Sequence, residues 1–435
     1  MLSISRAYFW ILIYTLFAQI LAPVIFKSAD ELGVLFMVLL IALDLAINRS
    51  FKRYAGLFCV IGIMAAYAVY SIVFLNYNTT KAIALDFIIE LKPFVAFFVG
   101  YSLAPKFKPW ERQVLKGATR TITLILVFLF AARLHTMVLF HVAYFGSLIF
   151  MCFLLHILGS VRPDGTISRS DLYCSLAILA VGLLCTRSKY YGEAVIALFL
   201  LFVYRPGMFR KINMKQVLIV AAVIAAVVAV SWSKFNYYFL TGNSDTFDAD
   251  VVQSFARPAL LGGMFLILCD HPFFGTGLAS YATYASSPSV NYSLVYAEYD
   301  LNKVFGLSEQ YYSFICDIFY ASMAQFGFVG IILFIYFFIW VYQKLRLVLH
   351  NENRYYFMVG VLTIVYVIVE NVGGTFFTQS GGLLSMLILG QIASPYRTIT
   401  DDNRKAILAG GYEQNNKTII TKKNIIIWKK TTASI

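Results

Sequence analysis

The chain has 435 residues, 60% of them hydrophobic and 17% aromatic, while only 13% are charged and the formal net charge is +13. Soluble domains carry about 25% charged residues, so a chain of mean hydropathy +0.75 lacks the polar surface that a soluble globular protein needs. Apolar runs of about 20 residues, the length that crosses a hydrocarbon core roughly 30 Å thick, recur from end to end and predict an all-α polytopic membrane protein.

The first run, YFWILIYTLFAQILAPVIF (8–26), is too long for a signal-peptide core and has no small-residue cleavage site, so it reads as a retained span. Further runs follow at roughly 32–48, 55–75, 83–104, 118–134, 137–158, 172–186, 190–204, 216–233, 312–341, 355–371 and 382–394. They make about twelve spans in all. Most of the 35 lysines and arginines fall in alternate connections, such as Lys106, Lys108, Arg112 and Lys116, or Arg205, Arg210, Lys211 and Lys215. The positive-inside rule then puts both termini in the cytoplasm. On this reading the net positive charge serves topology and anionic lipid, with no nucleic acid implied.

The chain thus divides into an N-terminal bundle of nine spans (1–234), one large outer loop (235–311), three C-terminal spans (312–394) and a cytoplasmic tail (395–435). The tail, ending in polar, lysine-dotted sequence, is expected to be disordered or to lie on the surface, and to be dispensable. The loop departs from the short connections elsewhere. Its one apolar segment, ALLGGMFLILC (259–269), is too short to cross and reads as a helix at the membrane surface or re-entering it. The remainder is rich in Tyr, Ser and Asp, and long connections of this kind inside compact proteins are usually functional. Tyrosine, with an apolar ring and a polar tip, suits both a membrane interface and a carbohydrate surface.

Several chemistries find no support. The six cysteines make no C-x-x-C and read as small apolar packing, with a Cys269–Cys316 disulfide near the outer face left open. The five histidines form no metal-ligand pattern, so neither a metal nor a cofactor is expected. In CDHPFFGTGL (269–278) the Gly275-x-Gly277 pair sits in no strand–helix unit, which removes the phosphate-cradle reading. Pro272 there ends a helix and the two glycines turn the chain away from it.

What remains on the outer side is a small set of cations. Arg187 and Lys189 lie in a turn between spans, Arg257 precedes the short apolar helix, Arg133 ends the fifth span, and Lys92 precedes a proline inside the fourth. An ion at membrane depth costs from about 2.5 kcal/mol upward, which marks such residues as functional candidates, with snorkelling at a helix end as the alternative. Arginine forks match phosphate oxygens bidentately. Carboxylates within reach, among them Asp245, Asp248, Asp250, Asp270, Glu298, Asp300, Glu309, Asp317 and Glu370, include one that could take a proton from a sugar hydroxyl.

TRSKYYGEAVIALFL (186–200), RPALLGGMFLILCDHPFFGTGL (257–278) and CDIFYASMAQFGFVGIILF (316–334) resemble, in order and topology, the O-antigen polymerase and O-antigen ligase superfamily. The resemblance covers the central and C-terminal parts. It implies a GT-C-like membrane glycosyltransferase with a periplasmic loop of short helices, acting at the outer face of the inner membrane. Its substrate would be an undecaprenyl-diphosphate-linked oligosaccharide, with no cofactor, and a chain-length regulator and a flippase as pathway partners. Arg187 and Arg257, with Lys189, would grip the donor diphosphate. Ligases of the superfamily carry H-N-x-Y-L where this chain reads CDIFY, so Cys316 stands at the histidine position and Asp317 at the asparagine position. That departure favours a polymerase over a ligase and makes Asp317, or Glu309 upstream, the candidate base, with a plain helix-entry role as the alternative for both. His271, Lys92, Arg133, Tyr311 and Glu370 are candidate substrate contacts. A transporter or flippase of the lipid-linked unit is the remaining alternative; it would be expected to distribute charges near mid-membrane and show repeat symmetry.

Overall fold

The computed structural model describes residues 4–24, 28–49, 51–103, 107–135, 139, 142–162, 164–204, isolated positions between 218 and 236, and then 256–351 and 354–394. Most of the ninth apolar run (216–233), the loop carboxylates Asp245, Asp248 and Asp250, and the tail lie outside these residues. Among the described residues there is no strand, and most of the apolar stretches are helical.

Helices α1 (Ile4–Val24), α2 (Ala29–Asn48), α3 (Ala55–Tyr70), α4 (Thr80–Leu103), α5 (Pro109–Ala131) and α6 (Val142–Ser160) come first. They are followed by α7 (Arg169–Val181), α8 (Ser188–Leu198), α9 (Ala256–Asp270), α10 (Gly327–Asn351), α11 (Arg354–Glu370) and α12 (Ser380–Ala393). Among the described residues five stretches are long and apolar enough to cross a membrane: Phe51–Leu75, Pro109–Ala131, Val142–Ser160, Phe319–Val348 and Arg354–Gly373. The apolar stretches Arg6–Ile20 and Ser380–Ala393 are shorter.

The bundle is centred on α6, whose residues from Phe145 to Ser160 are all buried, and on α12. Where α4 crosses α12 the backbones touch, because glycine stands on both sides. A Cβ at Gly100 would fall 2.3 Å from the Leu387 carbonyl oxygen, and one at Gly390 would fall 2.0 Å from that of Phe97. Small residues of this kind let helices approach closely in an apolar medium that supplies no hydrophobic drive of its own. Polar clamps fix the neighbours. Lys92 of α4 donates to Asp30 (2.7 Å) and Glu31 (3.2 Å) of α2. On α5, Lys116 and Arg120 reach Asp171 of α7 at 3.2 and 3.0 Å.

Residues 256–326 build a second unit with its own apolar core, formed by Leu260, Ile267, Tyr281, Val295, Tyr296, Leu307 and Ile315 among others. The described part of the long loop is therefore folded, although only α9 in it is a helix of more than one turn. Residues 312–318 fold with it: Phe314 N–H donates to the Gly306 carbonyl and Asp317 N–H to that of Phe314. The helical run expected from 312 accordingly starts only at Phe319.

This unit is fastened to the end of the α3–α4 hairpin. The Asn78 side chain donates to the carbonyls of Ala279 (2.7 Å) and Asn291 (3.0 Å) and accepts from Asn291 Nδ2 (2.8 Å). Ser71 Oγ and Asp86 Oδ2 accept the backbone N–H groups of Leu278 and Ala279, both at 2.7 Å. The CDHPFFGTGL segment runs against residues 324–329. The carbonyls of Pro272 and Phe273 accept from Phe328 and Val329 N–H in the first turn of α10, donors that a helix cannot satisfy internally. Gly275 has φ +67 and a Cβ there would meet the Ala324 carbonyl oxygen at 2.1 Å, so the approach requires glycine.

Candidate functional site

The TRS turn is shaped by the backbone. Thr186 takes a left-handed conformation (φ +51) after a 3-10 turn that ends at Cys185, and Arg187 is the extended residue that starts α8. Lys189 follows within the first turn of α8. Its Nζ donates to Glu370 Oε2 at 2.5 Å, joining α8 to the last residue of α11. Glu193 lies one turn further along α8, on the same face by helical spacing. It is fully buried, it feels both Lys189 and Glu370, and neither of its carboxylate oxygens has a hydrogen-bond partner among the described residues.

Arg257 occupies the first turn of α9. Its Nε donates to Asp317 Oδ2, and Nη2 donates to Oδ1 at 3.2 Å, a two-point pair across 60 residues. The fork leaves Arg257 38% exposed, so the pair is open at the surface of the site. Asp317 sits just before the helical turn Phe319–Ser322, and this turn is tied to the end of α11. Phe319 N–H donates to the Gly374 carbonyl, and Tyr320 Oη donates to that of Ile368 at 2.7 Å. The Arg257–Asp317 and Lys189–Glu370 pairs therefore stand on segments that abut directly.

The other candidates separate from this cluster. His271 lies at the opposite end of α9, about 21 Å from Arg257 at the helical rise of 1.5 Å per residue. There it meets Tyr77 Oη at 3.4 Å, with Tyr77 facing Glu298 and Tyr299 donating to Asp270 at 3.0 Å. Burial and then the Glu298 carboxylate push the Tyr77 phenol up to about 12. Lys92 is buried in its clamp with Asp30 and Glu31 and serves helix packing rather than this cluster. Arg133 stands exposed in a left-handed turn (φ +57) at the end of α5, with no ion pair to the cluster among the described residues. Glu309 and Tyr311 are exposed on the turn around residues 306–314 of the second unit. The rings of Phe305 and Tyr311 lie 5.6 Å apart there and are 65% and 63% exposed, an aromatic surface beside a carboxylate.

Cys316 cannot take over the work of a histidine. Burial, reinforced by the carboxylates of Asp86 and Asp317, pushes its thiol up to about 12. Nor is it joined to Cys269; both are free, Cys269 exposed and Cys316 half-buried. Among the described residues no three His, Cys, Asp or Glu side chains are grouped to hold a metal ion.

Three polar residues of the interior were not anticipated from sequence: Glu193, Asp86 and Gln325, all fully buried. Glu193 had a readable signal, its i+4 spacing from Lys189 in SKYYGEAV. Asp86 and Gln325 had none, since they receive Ala279 and Ser280 N–H groups from a segment roughly 200 and 45 residues away. No known family profile matches the chain, and no curated protein matches it by sequence.

Proposed function

We propose that the protein is a membrane glycosyltransferase that polymerises polysaccharide from lipid-linked repeat units. One observation carries the reading: two cation–carboxylate pairs, Arg257–Asp317 and Lys189–Glu370, stand on abutting segments, with Arg187 two residues from Lys189. A diphosphate leaving group needs fixed cations more than any other catalytic aid, and a guanidinium has donors left after binding one carboxylate.

In this reading the chain has about twelve spans in the bacterial inner membrane, as the apolar runs suggest. Both termini are cytoplasmic and the 235–311 loop is periplasmic. Arg187, Arg257 and Lys189 hold the diphosphate of an undecaprenyl-diphosphate-linked glycan. A hydroxyl of a second lipid-linked unit attacks the anomeric carbon with inversion; the bond from that carbon to the diphosphate oxygen breaks, and the hydroxyl proton passes to a carboxylate. Asp317 is favoured as that base over Glu309, because it is already oriented by Arg257. The exposed aromatics Phe305 and Tyr311 offer faces to sugar rings. A chain-length regulator and a flippase would act before and beside it.

The test is the surface glycan of a deletion strain. A polymerase leaves single repeat units on the acceptor lipid, and Arg257→Ala reproduces this with normal protein levels. Long polymer retained on the carrier lipid would instead identify a ligase, and absence of any outer-leaflet unit would identify a flippase.

A further inference from the structure

A groove of 540 Å³ opens between α3, α4 and α10, and Phe319, two residues from Asp317, is among the residues that line it. Its volume lies within the roughly 300–1,000 Å³ typical of small-molecule sites. The walls are apolar and aromatic, with Ile63, Phe94, Phe98, Phe334, Phe337 and Trp340 among them. Along α4 it extends from Glu90 to Tyr101, which is about 16 Å at 1.5 Å per residue. That is the depth of one leaflet of a hydrocarbon core roughly 30 Å thick.

The two ends differ in charge. Lys52 and Arg53 line one end, and Lys344, one helical turn beyond the wall residue Trp340 on α10, sets its Nζ over that ring at 5.5 Å. Arg53 also feels Asp44 at 3.8 Å, while Lys52 is exposed. At the far end stands Glu90, 5% exposed and lining the groove.

We infer that this groove holds one acyl chain of an anionic membrane phospholipid, with the headgroup phosphate on Lys52 and Lys344 beside Arg53. A basic pocket between helices at the membrane surface is the chemistry that selects anionic headgroups. The direction follows from the lining, whose only cations, Lys52 and Arg53, stand at one end. This site does not depend on the reaction proposed above.

Trp340 lies in the groove wall and reports occupancy. The purified full chain is placed in phosphatidylcholine nanodiscs containing a small fraction of either dibromo-phosphatidylglycerol or dibromo-phosphatidylcholine. Quenching that is present in the wild type and lost in Trp340→Phe isolates the groove. The anionic lipid is expected to quench more strongly by about fivefold for each basic side chain engaged. The double variant Lys52→Gln/Lys344→Gln should lose that preference, and Val60→Phe, which fills the groove, should lose quenching by both lipids. Thermal unfolding of each variant checks the fold, and a variant that unfolds is replaced by Cys59→Phe on the same wall. Equal quenching by the two lipids, or a preference that survives the double substitution, would overturn the proposal.

Discussion

Arg257 and Asp317 meet as a two-point guanidinium–carboxylate pair across 60 residues of sequence, tying the start of α9 to the residues that precede Phe319. The pair aligns the planar fork in one orientation, which an ammonium cannot reproduce. Arg257→Lys is therefore expected to lower polymer output by at least about tenfold, equivalent to ~1.4 kcal/mol of transition-state stabilisation. Asp317→Asn should lower it with unchanged protein level, whereas a swapped pair, Arg257→Asp with Asp317→Arg, should stay inactive. Polymer length and amount on a glycan gel measure all three, and wild-type polymer from Arg257→Lys would refute the two-point role.

Lys189 and Glu370 pair at 2.5 Å, with the Glu370 side chain only 5% exposed. Removing one partner of a buried pair strands the other charge, at a cost of about 3–5 kcal/mol. Lys189→Ala should thus lower both stability and activity, while Lys189→Ala with Glu370→Gln should recover stability and leave activity low. Thermal unfolding in detergent, measured beside polymer output, separates the two effects. Recovery of activity in the double variant would assign the pair a packing role alone.

Asn78 fastens the second unit to the α3–α4 hairpin by donating to the Ala279 and Asn291 carbonyls and accepting from Asn291 Nδ2. Each such bond contributes about 1 kcal/mol net, so Asn78→Ala is expected to loosen residues 271–318 without unfolding the bundle. Limited proteolysis should cut between 284 and 312 faster in the variant, while the helices outside the unit remain protected.

Cys316 and Cys269 should differ in reactivity. The raised Cys316 thiol, at about 12, supplies thiolate only as pH climbs far above neutral. Iodoacetamide at pH 7.5 should alkylate the exposed Cys269 and spare Cys316, and Cys316 labelling should increase steadily toward pH 10. Mass spectrometry of the two peptides reads this directly. Rapid labelling of Cys316 at pH 7.5 would show that the thiol is not held in its neutral form.

Helix positions were legible because hydropathy is a local sum. Each run of apolar residues carries its own reason to be helical, since in an apolar medium every backbone donor must be satisfied within the segment. The same locality explains why the start at 312 was misjudged: YYSFICDI is apolar enough to pass as a span, but its backbone groups are bound by Gly306 and its neighbours in the second unit. CDHPFFGTGL was legible as a turn, yet its role as cap of α10 depends on residues more than 50 positions away.

By itself the sequence determined the helical class, the order of the elements and the short roll of charged residues that an apolar chain retains. Tertiary structure alone decided which of those charges act together. It joined Arg257 to Asp317 and Lys189 to Glu370, consigned Lys92 to a clamp with Asp30 and Glu31, and set His271 at the far end of α9 from Arg257. The reason is physical: a charge in an apolar chain is costly until paired, and its partner is selected by how helices distant in sequence cross, information that no local pattern contains.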